Sequence, residues 1–393
     1  MNRRQFIATT VAGSLAFSAR SAQSNPKLRV AVIGHTGHGN YGHGLDTMWA
    51  QLPETEIVAV ADADATGLAA ALKRLKVTQG FPAYQKMLSE TKPDLVVVGP
   101  RHVNEHRDMT LAAIQAGAKG IYIEKPLCRT LAEADEIGAA ADREKTKIAV
   151  AHRNRYHPTH PVVVKLLQEN LIGRVLEMRA RGKEDLRGGG LDLWVLGSHL
   201  LNLATAFGGQ PQSCSATVFQ DGRLAGRGDV KPGDEGIGPI LGNEIHARFE
   251  MERGFPLFFD SVQKAGVAAA GFGLQIIGTK GIIDFRGDKD PAAYLLAGSP
   301  FQPGSEALTW QAITSAGVGK PEPIANLGRL MSGHVIAGRD LIAAMREDRE
   351  PLCSARDGRT TLEMISAVFE SHRLNGQRVG FPLQHRDNPL TRL

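Results

Sequence analysis

The segment Gly34-His35-Thr36-Gly37-His38-Gly39-Asn40-Tyr41-Gly42 constrains this chain more than any other. It follows the β-branched run Leu28 to Ile33. A glycine-rich turn leaving a strand lets backbone amides approach a pyrophosphate at the N-terminus of the next helix. Gly37-His38-Gly39-Asn40-Tyr41-Gly42 matches G-x-G-x-x-G literally but starts three residues late; Gly34 holds the usual first position, and Thr36 stands where the second glycine would be. The loop is therefore expected to be longer than standard, with Gly34, Thr36, Gly37, Gly39 and Gly42 as its candidate phosphate neighbours.

The text around this loop alternates. Further short apolar runs fall at 57–61, 94–98, 120–123 and 147–151, and helix patterns at 66–75, 109–116 and 131–144 lie between them. Thr130-Leu131-Ala132-Glu133 has the form of a capping box. Near-continuous apolar strands alternating with helices predict a parallel sheet covered on both faces, an α/β Rossmann domain over 25–151. After Arg153 the rhythm changes. Glu244 to Glu250 has period two, and 274–277 and 281–285 flank the turn Gly278-Thr279-Lys280. Segment 152–393 is predicted to be an α+β domain with an open, mostly antiparallel sheet, a long glycine-rich loop at 221–243 and two closing helices at 333–345 and 360–374.

Asp62 ends the second strand run, where a carboxylate can accept from the adenosine ribose hydroxyls and would repel a 2′-phosphate. That favours NAD, with NADP possible; the plainer role for Asp62 is to cap the next helix, which Asp64 can also do. Lys125 follows the fourth strand run, at the end of a parallel sheet where ligands sit. With a pKa lowered by burial and nearby cations, such a lysine can exchange a proton with a substrate hydroxyl.

Composition excludes other classes. The chain has 393 residues and a net charge of +5, but Arg3, Arg4, Arg20, Lys27 and Arg29 precede the first acid, Asp46. Without the three arginines before Asn25, 43 basic residues face 41 acidic ones, a poor balance for binding nucleic acid. Three scattered cysteines, Cys128, Cys214 and Cys353, suit buried thiols rather than a disulfide framework. No apolar run is long enough to span a bilayer. Arg3-Arg4, Phe6, a short apolar stretch and Ala22-Gln23-Ser24 read as a twin-arginine export signal over 1–24, which predicts a periplasmic protein.

Taken in order, the glycine loop, Asp62, Gly99-Pro100 with His106, Ala116-Gly117, Glu124-Lys125-Pro126-Leu127, Arg153-Asn154-Arg155-Tyr156, Gly197-Ser198-His199 and Ile277-Gly278-Thr279-Lys280-Gly281 resemble the glucose–fructose oxidoreductase and inositol dehydrogenase (Gfo/Idh/MocA) family. The resemblance implies hydride transfer on a sugar or polyol, with Lys125 and His199 near the reacting hydroxyl. It also implies cofactor contacts from Pro100, His106, Glu124 and Lys125, and a homo-oligomer, dimer or tetramer. Arg155, Tyr156, Asp192, Trp194 and Asn202 are the expected substrate neighbours.

One departure matters. Members of that family commonly carry an aspartate four residues before this histidine and another three after it, where this chain has Val195 and Asn202. Asp192, Glu184 or Asp185 can substitute. An exported enzyme has no free nicotinamide pool, so a retained cofactor is expected. Redox-neutral glycoside cleavage through a transient keto-sugar is the alternative reaction, and a non-catalytic binder of carbohydrate or nucleotide a further one. No metal is expected, because neither His35, His38 and His43 nor His157 and His160 pair regular helical spacing with a carboxylate.

Overall fold

A computed structural model describes residues 26–265, 272–287, 289–299, 301–302 and 308–393. Residues 1–24, read above as an export signal, lie outside the described residues.

The first sheet has six parallel strands: β1 (Leu28–Ile33), β2 (Thr55–Ala61), β3 (Gly80–Phe81), β4 (Leu95–Val98), β5 (Gly120–Ile123) and β6 (Lys147–Val150). Their order, β3-β2-β1-β4-β5-β6, reverses between β1 and β4, and that switch point is where a doubly wound sheet opens a crevice. All four residues of β4 and of β5 are buried, as a sheet covered on both faces requires. Helices α1 (Ala65–Leu75), α2 (Tyr84–Thr91), α3 (His106–Gln115) and α4 (Leu131–Glu144) supply the cover. Asp64 caps α1 by accepting from the Gly67 amide at 2.6 Å, so Asp62 is not the cap. The Thr130 hydroxyl accepts from the Glu133 amide, while Glu133 reaches back to the amide of Arg129.

The crossover from β1 to β2 differs from expectation. No α-helix follows the glycine loop; turns run over 41–47 and end in a 3-10 turn, Met48–Gln51. The anion-binding helix N-terminus is therefore absent, and whatever the loop holds must be held by its own amides.

After α5 (Thr159–Gln168) the chain builds a second sheet. β7 (Val175–Arg181) leads through α6 (Gly189–Asp192), a π-helical turn (Leu193–Gly197) and α7 (Ser198–Gly208) to β8 (Pro211–Gln220). The glycine-rich stretch holds three two-residue strands, β9 (Arg223–Leu224), β10 (Lys231–Pro232) and β11 (Pro239–Ile240). Then come β12 (Glu244–Met251), β13 (Pro256–Val262), β14 (Gly273–Gly278), β15 (Gly281–Arg286), β16 (Ala293–Ala297), β17 (Trp310–Thr314) and β18 (Gly317–Val318). Every named pairing in this sheet is antiparallel except β7 with β13, so the expected mostly antiparallel sheet is the one found. Along β12 each inward residue is buried and its neighbours are not, which is the signature of a sheet covered on one face only.

The C-terminal segment, α8 (Leu327–Ser332), α9 (Val335–Glu347), α10 (Ala355–Arg373) and β19 (Val379–Gly380), returns to both sheets. α9 packs on β5 and β6, while α10 touches α4 on one side and α7 and β8 on the other. The two sheets are thus joined through a helix buried for most of its length.

Candidate active site

The glycine loop closes on itself. His35 and Asn40 form an isolated antiparallel bridge, their amides and carbonyls bonding at 3.0 and 2.9 Å, so residues 36–39 are an excursion from an otherwise ordinary loop. This is the extra length expected from the late start of the motif. Gly34 is required for a local reason: a Cβ there would lie 2.1 Å from the Tyr41 ring. The Tyr41 hydroxyl donates to Asp62 at 2.8 Å.

Asp62 is the anchor of the loop. Its carboxylate accepts from the Thr36 amide (3.0 Å) and hydroxyl (2.7 Å), from the Asp64 amide (3.0 Å) and from Tyr41, and the residue is 1% exposed. Burial would raise its pKa, but the bonds from Thr36, Asp64 and Tyr41 outweigh burial and hold it below the ordinary aspartate value. The ribose role expected of Asp62 is therefore corrected: its acceptor sites are taken by the loop. Thr36 is corrected with it, because its amide is spent on Asp62. The loop's internal bonds also consume the amides of Gly37, His38, Asn40 and Gly42. The amides of Gly39 and Tyr41 have no partner among the described residues, but both residues are buried and neither lines the cavities beside the loop.

Two cavities flank this loop. One, of about 360 Å³, lies beyond the ends of β1 to β4 and is lined by Gly34, Asp62, Tyr84, Asn104, Glu105 and Asp108, among others. Its walls carry three carboxylates and no lysine or arginine. At its rim His35, His38 and Glu105 bring three ligating atoms within 4.8 Å of one another, a grouping not expected from the sequence; His35 Nδ1 bonds Glu105 directly at 2.8 Å.

The second cavity, of about 240 Å³, lies between the ends of β4, β5 and β6 and the second sheet. Here the structure brings together Lys125, Glu124 and His199, as expected, with Arg101, Arg153, Lys183, Arg187, Glu235, His43 and His334, which sequence reasoning missed. Lys125 is buried and its Nζ donates to the backbone carbonyl of Val195 at 2.9 Å. The position of the missing aspartate is thus filled by a main-chain acceptor. It lies in the π-helical turn, where the regular i to i−4 ladder is interrupted. Burial draws the Lys125 ammonium below the ordinary lysine pKa, with repulsion from Arg187 and Arg101 acting against attraction from Glu124 and Glu235.

Glu124 is buried beneath Lys125. Burial alone would push its carboxyl up, but the hydrogen bond and charge of His43, 3.1 Å away, with Lys125 beside it, hold it at about 2. His199 Nδ1 lies 3.5 Å from His152 Nδ1, the two rings perpendicular. Burial, then the positive charge of Lys125, keeps both imidazoles neutral, His152 down to about 3 and His199 well below the ordinary histidine value.

The sign of the pH effect follows. A neutral imidazole accepts a proton, and falling pH does not switch His199 off at about 6.5, the unperturbed value. The acid limb of kcat/KM for alcohol oxidation is expected below pH 6. A limb centred near 6.5 that disappears in His199→Asn would contradict this assignment, and a pH–rate profile of both proteins checks it.

Several expected ligand contacts prove to be internal scaffolding. His106 is buried and bridges the carbonyls of Pro100 (2.7 Å) and Pro126 (2.8 Å), tying the loop after β4 to the loop after β5; neither His106 nor Pro100 lines either cavity. Arg155 donates to Asn202 O (2.6 Å), Thr205 Oγ1 (3.1 Å) and Asp357 (3.0 Å). Tyr156 is buried with its hydroxyl on Val150 O, and Asn202 is buried against Thr361. Trp194 is a core residue, 2% exposed. Asp192 accepts from Ser261 at 2.6 Å, Glu184 pairs with Arg181, and Asp185 with Arg187, so none of the three replaces the missing carboxylate in the cavity. Arg155→Met is accordingly expected to lower stability by about 2 kcal/mol, because it strips a largely buried carboxylate of its cation. KM for substrate should barely move, and thermal unfolding beside steady-state kinetics separates the two.

Comparison with known proteins adds the rest. Residues 28–152 match the family model described as an oxidoreductase family with an NAD-binding Rossmann fold. The chain is 25% identical over 343 residues to D-apiose dehydrogenase of Paraburkholderia graminis, covering 83% of each protein. It is 24% identical over 263 residues to levoglucosan dehydrogenase of Pseudarthrobacter phenanthrenivorans, covering 60% of this chain and 65% of that one. Among solved structures, a levoglucosan dehydrogenase with NADH and L-sorbose superposes with a TM-score of 0.72 at 19% identity, over 91% of this chain and all of the other. An NAD-binding oxidoreductase from Klebsiella pneumoniae gives 0.69 at 18% identity, over 91% and 100%. Loop, sheet order, Lys125 and these likenesses converge on one conclusion: residues 28–152 form an NAD-binding Rossmann domain similar to that of the Gfo/Idh/MocA oxidoreductases.

Proposed function

We propose that the protein transfers a hydride to or from a hydroxyl-bearing carbon of a small sugar or polyol, using a tightly retained NAD. One arrangement carries the reading: Lys125 and His199 stand at one wall of a cavity that adjoins the glycine loop, with His152 buried behind His199. The residues suit the dinucleotide. The carboxylate-lined cavity suits an uncharged adenosine and repels a 2′-phosphate. The nicotinamide supplies or accepts the hydride. Lys125 holds the substrate hydroxyl and exchanges its proton, and neutral His199 accepts that proton, with His152 as the next acceptor in line.

The relatives with named activities act on sugars and related alcohols, which supports the substrate class. The arginine pair Arg3-Arg4 and the short apolar stretch behind it support export to the periplasm, where a cofactor that dissociated would be lost. The resemblance to a family of homo-oligomers supports self-association.

The test is to purify the chain, denature it, and identify and count the nucleotide released. About one NAD(H) per chain, with little NADP(H), is expected. A chain that carries none and binds none when it is added overturns the proposal.

A further inference from the structure

The substrate cavity is more cationic than an uncharged sugar needs. Five lysine and arginine side chains line it, Arg101, Lys125, Arg153, Lys183 and Arg187, against two carboxylates, Glu124 and Glu235. The carboxylates are engaged: Glu124 is bonded to His43, and Glu235 lies 3.5 Å from Arg101. Arg101 is balanced by Glu235, and its main chain packs on Gly39 of the glycine loop. Lys125 bonds a neutral carbonyl and handles the reacting proton.

Arg153 belongs to the 3-10 turn after β6, on the side of the first sheet, which leaves Lys183 and Arg187, entering from the loop between β7 and α6 on the side of the second sheet. Lys183 has no ion-pair partner among the described residues. Arg187 uses Nε and Nη2 on Asp185 and keeps Nη1 uncommitted. A half-buried ammonium with no carboxylate in direct contact, in a small cavity, is costly unless a ligand brings the charge. Arg187 also bears on the reacting lysine: burial lowers that pKa most, and the Arg187 charge helps to lower it further.

Resting on the dehydrogenase reading above, we propose that the substrate is an anionic monosaccharide, its carboxylate or phosphate received by Lys183 and Arg187 while the hydroxyl to be oxidised lies at Lys125. A cavity of about 240 Å³ suits one sugar ring rather than an oligosaccharide.

The experiment uses the full chain with its nucleotide bound and reads ligand binding without turnover, by calorimetry or by quenching of NADH fluorescence. Two pairs of probes are titrated: D-galacturonate against D-galactose, and D-glucose 6-phosphate against D-glucose. The charged member of at least one pair is expected to bind at least tenfold more tightly, and the pair that responds tells carboxylate from phosphate. The preference should shrink with added salt, fall towards one in Lys183→Met and return in Lys183→Arg. Equal affinities in both pairs, or no measurable binding of any probe, overturn the proposal. A preference that survives both Lys183→Met and Arg187→Met also overturns it. So does loss of nucleotide from Lys183→Met, which would assign that lysine to the cofactor. Nucleotide content is measured first, so an empty wild-type chain is recognised as failure of the dehydrogenase reading itself.

Discussion

Lys125→Met is expected to lower kcat/KM by about a thousandfold while leaving the nucleotide in place. The residue is buried and its ammonium is held at a single distance, 2.9 Å, from the Val195 carbonyl, so its proton is presented to the substrate from a fixed point. No other lysine in that cavity is buried, and Lys183, on the opposite side, enters from a different loop. Methionine has a similar length and no charge, and it relieves rather than adds a desolvation cost, so thermal stability should hold or rise. A loss of about three decades corresponds to about 4 kcal/mol of transition-state stabilisation. A fall of less than tenfold in the variant, with nucleotide still bound, would remove Lys125 from the reaction.

Gly42→Ala should do more damage than a single methyl suggests. Gly42 has φ +62°, and a Cβ there would stand 2.4 Å from the Glu124 carboxylate and 2.6 Å from the Gly99 carbonyl. Two of those neighbours are fixed: Gly99 is main chain, and Glu124 is buried and bonded to the His43 amide and ring. The loop must shift, which costs about 3 kcal/mol in overpacking and backbone strain. Unfolding in denaturant gives the stability, and the absorbance of released nucleotide gives the second effect, a chain purified largely without cofactor. Gly37→Ala is the contrast: its φ is +87° but a Cβ meets nothing within 4 Å, so only the strain remains, about 1 kcal/mol.

These two glycines show what the sequence makes legible. The alternation of apolar runs and helix patterns identifies β1, β2, β4, β5 and β6 because a sheet covered on both faces leaves uninterrupted β-branched text. The loop's extra length is also visible, as a motif that starts late. Its bonding is not: Asp62 has the position of a ribose ligand, yet three loop donors occupy it, and only the His35–Asn40 bridge explains why they reach it. In the second half, Arg155 and Arg153 are two residues apart on one 3-10 turn, and only one lines the cavity. Spacing on so short a turn assigns no face. Glu235 and Lys183 come from loops whose text has no period, so their arrival at the cavity depends on tertiary packing alone.

The π-helical turn at Leu193–Gly197 has a consequence for how this site can change over time. Such a turn amounts to one residue more than an α-helix needs, and each residue rotates everything beyond it by about 100° about the axis. Upstream of the turn, Asp192 is pinned to Ser261; downstream, Asn202 is pinned to Thr361 on α10. Between two fixed ends, the bearing of His199 is a matter of angular phase. A one-residue deletion at 193–197 would smooth the helix and swing that imidazole away from Lys125 without altering either one. In this chain a frameless length change of a single codon is as decisive for chemistry as replacing the histidine, and lineages that keep the reaction must keep the count of residues between those two anchors as strictly as they keep the residues.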